Sequence, residues 1–345
     1  MALLPVSAVE AQDLRIATFN TGLSSRGPGL MLRDILEPSE RVGIVTRIVA
    51  ETAPDILVLQ DVDWDAGGTG LAALAEAIVE DGGPDYPHSF AARPNAGLLT
   101  DLDMDGDGRT RGPRDAQGYG NFTGDGGMAV LSRYPLGEVR DLSDLPWADL
   151  PGSIPPDPPF PTVEAHTARR LSSVAHWIVP VEIDGRTLDL MTWSATPPIF
   201  DGPEDLNGRR NRDETAIWSR LLDGEMGDVP EPPFVILGNA NLDPEDGEGI
   251  RDALDALLSE PRLRDPLPRS AGGAAEADPD HQGDPALDTA AFDGPGNLRL
   301  SYVLPSRDIA VRDAGVFWPA PDAQFAPDEN WPAHRLVWVD VTLAR

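Results

Sequence analysis

The sequence predicts an α/β (α+β) fold in which two packed mixed sheets carry helices on their outer faces, a four-layer α-β-β-α sandwich. Strand-like and helix-like segments alternate through the first part of the chain. A strong hairpin signal, Asp184-Gly185, separates two strand-like runs in its middle. Sheet on sheet with helices outside is one of the few arrangements in which such elements bury their apolar faces.

The elements are assigned from hydrophobic periodicity and from start and stop signals. Polar and apolar residues alternate over residues 14–19, which predicts a strand ending at Asn20. Ser39 and Glu40 are start signals for a helix over residues 41–50. The further predicted strands are 56–59, 128–131, 177–183, 187–193, 234–237, 302–304 and 337–343, and the further predicted helices are 71–79, 211–222 and 250–258.

We predict one domain over residues 13–345. The Pro-rich segment 150–161 and the Gly/Asp-rich segment 270–294 are interpreted as surface loops, because the strands that follow them are needed to complete the sheets. Residues 1–12 are small and apolar but lack the positive region that a signal peptide needs. They are predicted to be either a signal remnant or a disordered extension.

Charge and residue usage argue against several functions. The chain has 345 residues, a net charge of −31 and no lysine. Such a field repels polyanions, so polymeric nucleic acid is not an expected partner, although a solvated acidic surface also accounts for the charge. The absence of cysteine excludes disulfides and thiolate catalysis. No apolar run is long enough to span a membrane.

Polar residues end four of the predicted strands. They occur in Thr18-Phe19-Asn20, in Leu59-Gln60-Asp61, in Leu237-Gly238-Asn239-Ala240-Asn241, and at His334 before the last strand. In this order, and with residues 126–135 between the second and third, the fragments resemble the endonuclease/exonuclease/phosphatase superfamily from residue 14 to residue 343. Residues 196–205, 207–211, 302–306 and 334–340 further resemble an exported bacterial subgroup of it.

The resemblance implies metal-assisted hydrolysis of a phosphoester, of the phosphodiesterase, phosphatase or nuclease type. It assigns a divalent metal, Mg²⁺ or Mn²⁺, to Asn20 and Asp61, of which Asp61 replaces a glutamate and is one methylene shorter. The alternative is that Asp61 merely ends a strand. A small phosphodiester or phosphomonoester is the expected substrate.

Several catalytic positions carry residues that the superfamily does not use there. Asn241 matches an asparagine that contacts the phosphate, but Asn239 stands where an aspartate activates water, and an amide cannot act as a base. His334 is retained without the aspartate that would orient it, since residue 333 is alanine. Ser194 replaces a histidine and Ser301 an aspartate. The sequence therefore predicts impaired or lost catalysis, or alternatively a binding pseudoenzyme, with His334 then a strand-edge residue.

A second acidic segment predicts a Ca²⁺ site. Aspartate occupies every second position from residue 101 to residue 107, with a glycine at residue 106, as in the first half of a calcium loop. The predicted ligands are Asp101, Asp103, Asp105 and Asp107. Asp115 is the candidate for the distant carboxylate, because the usual glutamate position is occupied by glycine. The alternatives are a solvated acidic turn and a calcium-dependent adhesion module. Extracellular Ca²⁺ is plentiful, which favours an exported protein, periplasmic or extracellular.

Arg209, Arg210 and Arg212 lie near the start of the predicted helix 211–222. Guanidinium groups bind phosphate as bidentate donors. They also pair with carboxylates, and Asp201, Glu204 and Asp205 precede them. We predict the ion pairs. His176, in an apolar strand, is predicted to be a packed and hydrogen-bonded residue.

Overall fold

The computed structural model describes residues 12–37 and 39–343. Residues 1–11 of the predicted signal remnant or extension lie outside this part, and Gln12, which that prediction included, is the first residue of a strand. The strands are β1 (Gln12–Asn20), β2 (Ile56–Val62), β3 (His88–Phe90), β4 (Gly127–Ser132), β5 (Arg140–Asp141), β6 (Ala175–Ile183), β7 (Arg186–Ser194), β8 (Phe234–Asn239), β9 (Ala290–Phe292), β10 (Gly296–Leu298), β11 (Ser301–Pro305), β12 (Ala310–Val316) and β13 (Val337–Leu343). The α-helices are α1 (Leu30–Leu36), α2 (Glu40–Thr52), α3 (Thr69–Glu80), α4 (Val163–Ala168), α5 (Leu206–Leu222), α6 (Asp252–Leu258) and α7 (Ala271–Ala275).

Two mixed sheets form the centre of the molecule. The first has six strands in the order β12-β13-β1-β2-β4-β3, and the second has five in the order β11-β8-β7-β6-β5. β1 runs parallel to β2 and antiparallel to β13. In the second sheet β7 runs parallel to β8. Parallel neighbours end at the same edge of a sheet, which determines where the candidate site forms.

Alternation along the strands divides the core into layers. Ile16, Val58 and Leu237 point between the sheets and belong to one buried apolar cluster, to which both sheets contribute. The opposite face of the first sheet packs against α2 and α3. The opposite face of the second packs against α5 and α6, with Trp218 of α5 fully buried. The predicted α-β-β-α sandwich is confirmed.

The hairpin prediction is confirmed in detail. Ile183 of β6 pairs with Arg186 of β7, so the loop has two residues. Both Asp184 and Gly185 have positive φ, at 49° and 80°. This is the backbone of a type I′ turn, whose twist matches that of the flanking strands.

Some predicted bounds differ from those observed. α5 begins at Leu206, five residues before the predicted start, and α6 begins at Asp252. The Gly/Asp-rich segment 270–294 was predicted to be a loop, but it contains α7 and the whole of β9. Within the described residues, no helix is both long and apolar enough to cross a membrane.

Candidate active site

The polar strand ends meet at one edge of each sheet. In the first sheet Asn20 pairs with Gln60, so Asp61 lies one residue further along the neighbouring strand. In the second sheet Asn239 pairs with Ser194 on one side and with Ser301 on the other. We call these residues, with the two that complete them, the strand-end edge: Asn20, Asp61, Ser194, Asn239, Asn241, Ser301 and His334.

Thr289 connects the two halves of the strand-end edge. Its hydroxyl accepts a hydrogen bond from the backbone nitrogen of Ser301 at 3.0 Å. Its carbonyl accepts one from the backbone nitrogen of Arg335 at 2.7 Å. His334 and Arg335 lead directly into β13, which pairs with β1. The structure therefore brings His334 and the β8 and β11 ends to one region, beside the strand that ends at Asn20.

Asp61 has an unusual backbone. It lies at a β-bulge in β2, where the register with β4 shifts, and its φ is 56°. Its carbonyl accepts hydrogen bonds from the backbone nitrogens of Leu23 at 3.0 Å and Ser24 at 2.9 Å. Bulges re-aim a side chain, and left-handed non-glycine residues concentrate at functional sites. The bulge turns Asp61 out of the alternation that buries its neighbours.

Two further carboxylates near Asp61 are absent from the sequence prediction, namely Asp63 and Asp125. Burial, and then the charge of Asp125, raise the pKa of Asp61, and a hydrogen bond with Ser24 and the charge of Arg41 partly offset them. Burial also raises the pKa of Asp63 to about 7, to which Asp125 and Asp61 add. Asp63 accepts hydrogen bonds from the backbone nitrogens of Ser25 and Gly126 at 3.1 and 3.3 Å. In the sequence, Asp63 is marked only by its position two residues after Asp61, and Asp125 only by its position before Gly126-Gly127.

The residues of this edge fit a hard divalent cation. The half-buried Asn20 side chain makes no hydrogen bond to any described residue, so its carbonyl oxygen is free to act as a ligand. Asp61 is a carboxylate destabilised by burial and by Asp125, which a cation would compensate. Mg²⁺ binds through one or two carboxylates and keeps water or substrate oxygens for its other positions. Asn20 and Asp61 supply such a partial ligand set.

Asn239 and Asn241 form the second part of the site. The buried Asn239 accepts a hydrogen bond at Oδ1 from the backbone nitrogen of Asn241 at 3.1 Å, while its Nδ2 has no partner among the described residues. Asn241 has a φ of 50° and donates from Nδ2 to the carbonyl of Ala195 at 2.6 Å. An unsatisfied buried donor costs about 1–3 kcal/mol. The free Nδ2 of Asn239 is therefore suited to a ligand oxygen.

His334 is held as a neutral imidazole. It is 9% exposed, and Phe292 packs edge-on against it with ring centroids 5.6 Å apart. Burial, and then the charge of Arg335, lower its pKa to about 4. Its Nδ1 has no hydrogen-bond partner in the described part of the chain, since Ala333 offers no carboxylate. The fully buried Ser301 hydroxyl likewise has no partner.

The acidic segment 101–115 brings together part of its predicted ligand set. Oxygens of Asp103, Asp105 and Asp115 lie within 4.8 Å of one another, the one such group of three found among the described residues. Asp115 also accepts hydrogen bonds from the backbone nitrogens of Met104 and Gly112, which position it. The remaining predicted ligands lie outside this group: Asp101 pairs with Arg111 at 2.9 Å, and Asp107 accepts from the backbone nitrogen of Arg109.

The predicted ion pairs of Arg209, Arg210 and Arg212 with Asp201, Glu204 and Asp205 do not form in the described structure. Because α5 starts at Leu206, all three arginines lie within it. Arg210 is buried, and it donates to the carbonyls of Leu171, Gln117, Arg170 and Ser172. Arg212 pairs with Asp213 and Asp252, both at 2.7 Å. Arg209 donates to the carbonyls of Glu204 and Ile154.

His176 is confirmed as a packed, hydrogen-bonded histidine. It is fully buried, and its Nδ1 lies 2.6 Å from the hydroxyl of Ser172. Its Nε2 lies 2.9 Å from the carbonyl of Glu214. Burial lowers its pKa to about 4. His176 therefore has a structural role in β6 of the second sheet.

Comparison with known families identifies the fold. Residues 17–333 match the model of the Endonuclease/Exonuclease/phosphatase family. Among curated proteins, no sequence matches significantly.

Solved structures agree with this match. An endonuclease/exonuclease/phosphatase from Beutenbergia cavernae superposes with a TM-score of 0.57 at 19% identity, covering 96% of this chain and 72% of the other. A family protein from Leptotrichia buccalis gives a TM-score of 0.54 at 15% identity, covering 94% and 98%. The human Nocturnin catalytic domain with bound sulfate gives 0.52 at 15% identity, covering 96% of each chain. At these identities the likeness concerns the fold.

Proposed function

Since the chain belongs to the endonuclease/exonuclease/phosphatase family, we propose that it is a divalent-metal-dependent phosphoester hydrolase with impaired catalysis. The observation that carries the proposal is the strand-end edge. It combines two oxygen ligands, Asn20 and Asp61, with amide groups at Asn239 and Asn241, but it lacks an oriented base.

The metal would be held by Asn20 and Asp61. When bound, it would polarise the phosphoryl group and stabilise the charge that develops on it. Asp63 and Asp125 would add negative charge around the same position, because their carboxylates interact with that of Asp61. Asp61 has a shorter side chain than the glutamate expected at this position. Its own backbone is bulged and left-handed, which places its carboxylate outside the regular side-chain alternation of β2.

The amides would bind the phosphate and orient water. The unpartnered Nδ2 of Asn239 would donate to a phosphoryl oxygen or to the attacking water. It would not remove a proton, and general-base catalysis is worth about 10²–10⁴-fold. Burial lowers the pKa of His334 to about 4, so near neutral pH it is an uncharged imidazole, a much weaker acid than the imidazolium that would protonate a leaving group. The expected activity is therefore low.

Substrate size follows from charge. A net charge of −31 disfavours the long phosphate backbone of nucleic acid. A small phosphodiester or phosphomonoester carries little charge of its own. We therefore assign the cleft to small phosphoesters.

The second candidate function is a binding pseudoenzyme. It is favoured by the set of uncharged side chains at Ser194, Asn239, Ser301 and Ala333, and by the unpartnered Ser301 hydroxyl and His334 Nδ1. Under this reading the cleft binds a phosphate-bearing ligand and does not turn it over.

We further propose that Asp103, Asp105 and Asp115 bind Ca²⁺ and stabilise the loop that carries them. Three carboxylates within reach of one ion are the ligand type that Ca²⁺ prefers. A calcium-stabilised loop favours an environment rich in Ca²⁺, so we place the protein in the periplasm or outside the cell.

The deciding experiment is hydrolysis of bis-para-nitrophenyl phosphate and of its monoester with Mg²⁺, Mn²⁺ and Ca²⁺. Asp61→Ala removes the metal carboxylate. Asp85→Asn is the matched control, because Asp85 is an exposed carboxylate in the loop before β3, where β3 pairs with the opposite end of β4. Turnover that is lost in Asp61→Ala and kept in Asp85→Asn supports the hydrolase. No turnover above that of Asp61→Ala supports the pseudoenzyme.

A further inference from the structure

A cavity of about 820 Å³ lies beside the strand-end edge. One wall is formed by the acidic segment around Met104 and Tyr119, and the other by residues 196–210. The second wall starts next to the candidate active site: Thr196 lies two residues after Ser194, and Asn211 donates from Nδ2 to the carbonyls of Thr196 and Ala240, both at 2.7 Å. Thr196 therefore links this wall of the cavity to the end of β7 and, through Asn211, to the chain after β8.

Arg169 gives this cavity a buried positive charge without a counterion. It is 4% exposed, and it donates from Nη2 to the carbonyl of Met104 at 2.5 Å. Its Nε has no hydrogen-bond partner, and it forms no ion pair with any described residue. Burial, and then the charge of Arg210, lower its pKa to about 9, and the charge of Asp105 partly offsets them. A buried guanidinium is costly unless it is paired and hydrogen-bonded, so this side chain is suited to an anion.

Two other arginines line the same cavity. Arg114 is exposed, and it has no hydrogen bond or ion pair to any residue that the structure describes. Arg210 donates to main-chain carbonyls and has Glu214 near it. The cavity therefore offers one free guanidinium at its rim and one incompletely bonded guanidinium inside.

The carboxylates of the walls form no ion pair with these groups, although the charge of Asp105 acts on Arg169. Asp105 accepts from the backbone nitrogen of Asp107 at 3.2 Å, Asp201 from that of Asn207 at 2.5 Å, and Glu204 from that of Gly202 at 3.1 Å. None of them lies within ion-pairing distance of an arginine of the cavity. Asp105 also belongs to the candidate Ca²⁺ group, and an ion there would cancel its charge.

Aromatic side chains complete the cavity. Phe200 is 72% exposed and Tyr119 is 66% exposed, and both line it together with Phe160. Large exposed aromatic residues around a concavity mark ligand and partner sites. Their flat faces suit an apolar or aromatic group.

We propose that this cavity binds a small organic anion, with its anionic group against Arg169 and Arg114 and its apolar or aromatic body against Phe160, Phe200 and Tyr119. The site requires no hydrolysis in the neighbouring cleft.

Binding is tested by titration calorimetry with phenylphosphonate, which carries a ring and an anion but no hydrolysable ester. We expect benzyl alcohol, which lacks the charge, and inorganic phosphate, which lacks the ring, to bind more weakly. Arg169→Met should weaken phenylphosphonate binding about tenfold, and Arg114→Gln about two- to fivefold as an exposed charge. Phe200→Ala should weaken phenylphosphonate but not inorganic phosphate.

Arg264→Gln is the matched control. Arg264 is exposed, without a side-chain partner among the described residues, at the end of β11 remote from Ser301. Its substitution should leave the affinity unchanged. Because Arg114 is exposed, Arg114→Gln remains informative even if Arg169→Met does not fold.

Repeating the titration in the Asp61→Ala protein separates the cavity from the cleft. Binding that persists there and responds to Arg114→Gln supports the proposal whatever the outcome of the hydrolysis assay. Binding that disappears in Asp61→Ala, that ignores both arginine substitutions, or that is absent altogether overturns it.

Discussion

The backbone nitrogen of Asn241 donates a hydrogen bond to Oδ1 of Asn239 at 3.1 Å. Asn239, which replaces the expected water-activating aspartate, is thus positioned by the backbone of Asn241. The amide group occupies the position but leaves an unpartnered Nδ2 where a carboxylate would present a second oxygen.

Restoring the missing charges should raise hydrolysis. Asn239→Asp supplies a carboxylate that can still accept from the Asn241 nitrogen, so we expect an increase of about 10²–10⁴-fold when it is combined with Ser194→His and Ala333→Asp. Initial rates with bis-para-nitrophenyl phosphate and Mg²⁺ measure this. Asp61→Ala in the restored protein should abolish the gain. A restored protein no faster than the natural one would argue that the cleft geometry, and not the lost charges, limits catalysis.

Asp61 should determine metal affinity independently of turnover. Mn²⁺ binding, followed by electron paramagnetic resonance, is best measured in an Asp103→Asn background that weakens the other acidic group. Asp61→Asn removes the one charged ligand of the proposed site, and we expect at least about tenfold weaker binding. Asp85→Asn should have no effect. Equal affinities in the two variants would remove Asp61 from the metal site.

His334 and His176 should both stay neutral near physiological pH. Burial lowers each pKa from 6.5 to about 4, with Arg335 adding to the effect at His334. The unfolded chain therefore takes up protons first as the pH falls. The associated stability is present above pH 6.5 and is lost towards pH 4, by about 3 kcal/mol per histidine.

Titration of the histidine ring signals by nuclear magnetic resonance measures both values. Ala333→Asp brings a negative charge next to His334, so its pKa should rise, while His176 in the other sheet serves as an internal control. A ring of His334 that titrates near 6.5 in the natural protein would contradict the neutral imidazole described above.

Ca²⁺ should raise the melting temperature through the segment 101–115. Saturation at about 100 times the dissociation constant adds about 2.7 kcal/mol to the free energy of unfolding. Asp103→Asn or Asp105→Asn should remove most of this gain, because both carboxylates belong to the group of three. Asp101→Asn is the matched control in the same segment, since Asp101 pairs with Arg111. An equal loss of the Ca²⁺-dependent stabilisation in all three variants would indicate that Ca²⁺ acts on the overall negative charge of the segment and not at one site.

Gly118 should resist substitution for steric reasons. A Cβ at this position would lie 1.7 Å from the carbonyl oxygen of Ser173, so Gly118→Ala forces two backbone segments apart. We expect a loss of about 1–3 kcal/mol in the free energy of unfolding, measured by urea denaturation. Gly43→Ala on α2, where a Cβ meets nothing within 4 Å, should instead stabilise by about 0.5–1 kcal/mol. A neutral Gly118→Ala would show that the two segments separate easily.

Most of the sheet framework follows from local sequence signals. The alternation before Asn20 and the turn residues Asp184-Gly185 are read within a few residues, and each corresponds to an observed strand end or hairpin. The short helix α1 and the edge strand β12 were not predicted from the sequence. Their apolar pattern is weak, and they form by packing against parts of the chain that are distant in sequence.

The candidate site was only partly predictable for the same reason. Asn239 and His334 stand in recognisable fragments, whereas Asp125 reaches Asp61 only through tertiary folding. Arg169 is isolated in the sequence and becomes notable only as a buried guanidinium without a counterion. Arg212 forms its ion pair with Asp252, 40 residues away in the sequence, and such a pair cannot be predicted from helical spacing.

The pairing of β1 with β13 places the beginning and the end of the described chain side by side, with Gln12 opposite Leu343. During synthesis β1 therefore leaves the ribosome long before β13, its antiparallel partner. The β1–β2 pair can form early, but the edge of β1 that β13 later covers stays open to other strands until then. Completion of the first sheet is therefore coupled to the synthesis of β13, a consequence of the strand order.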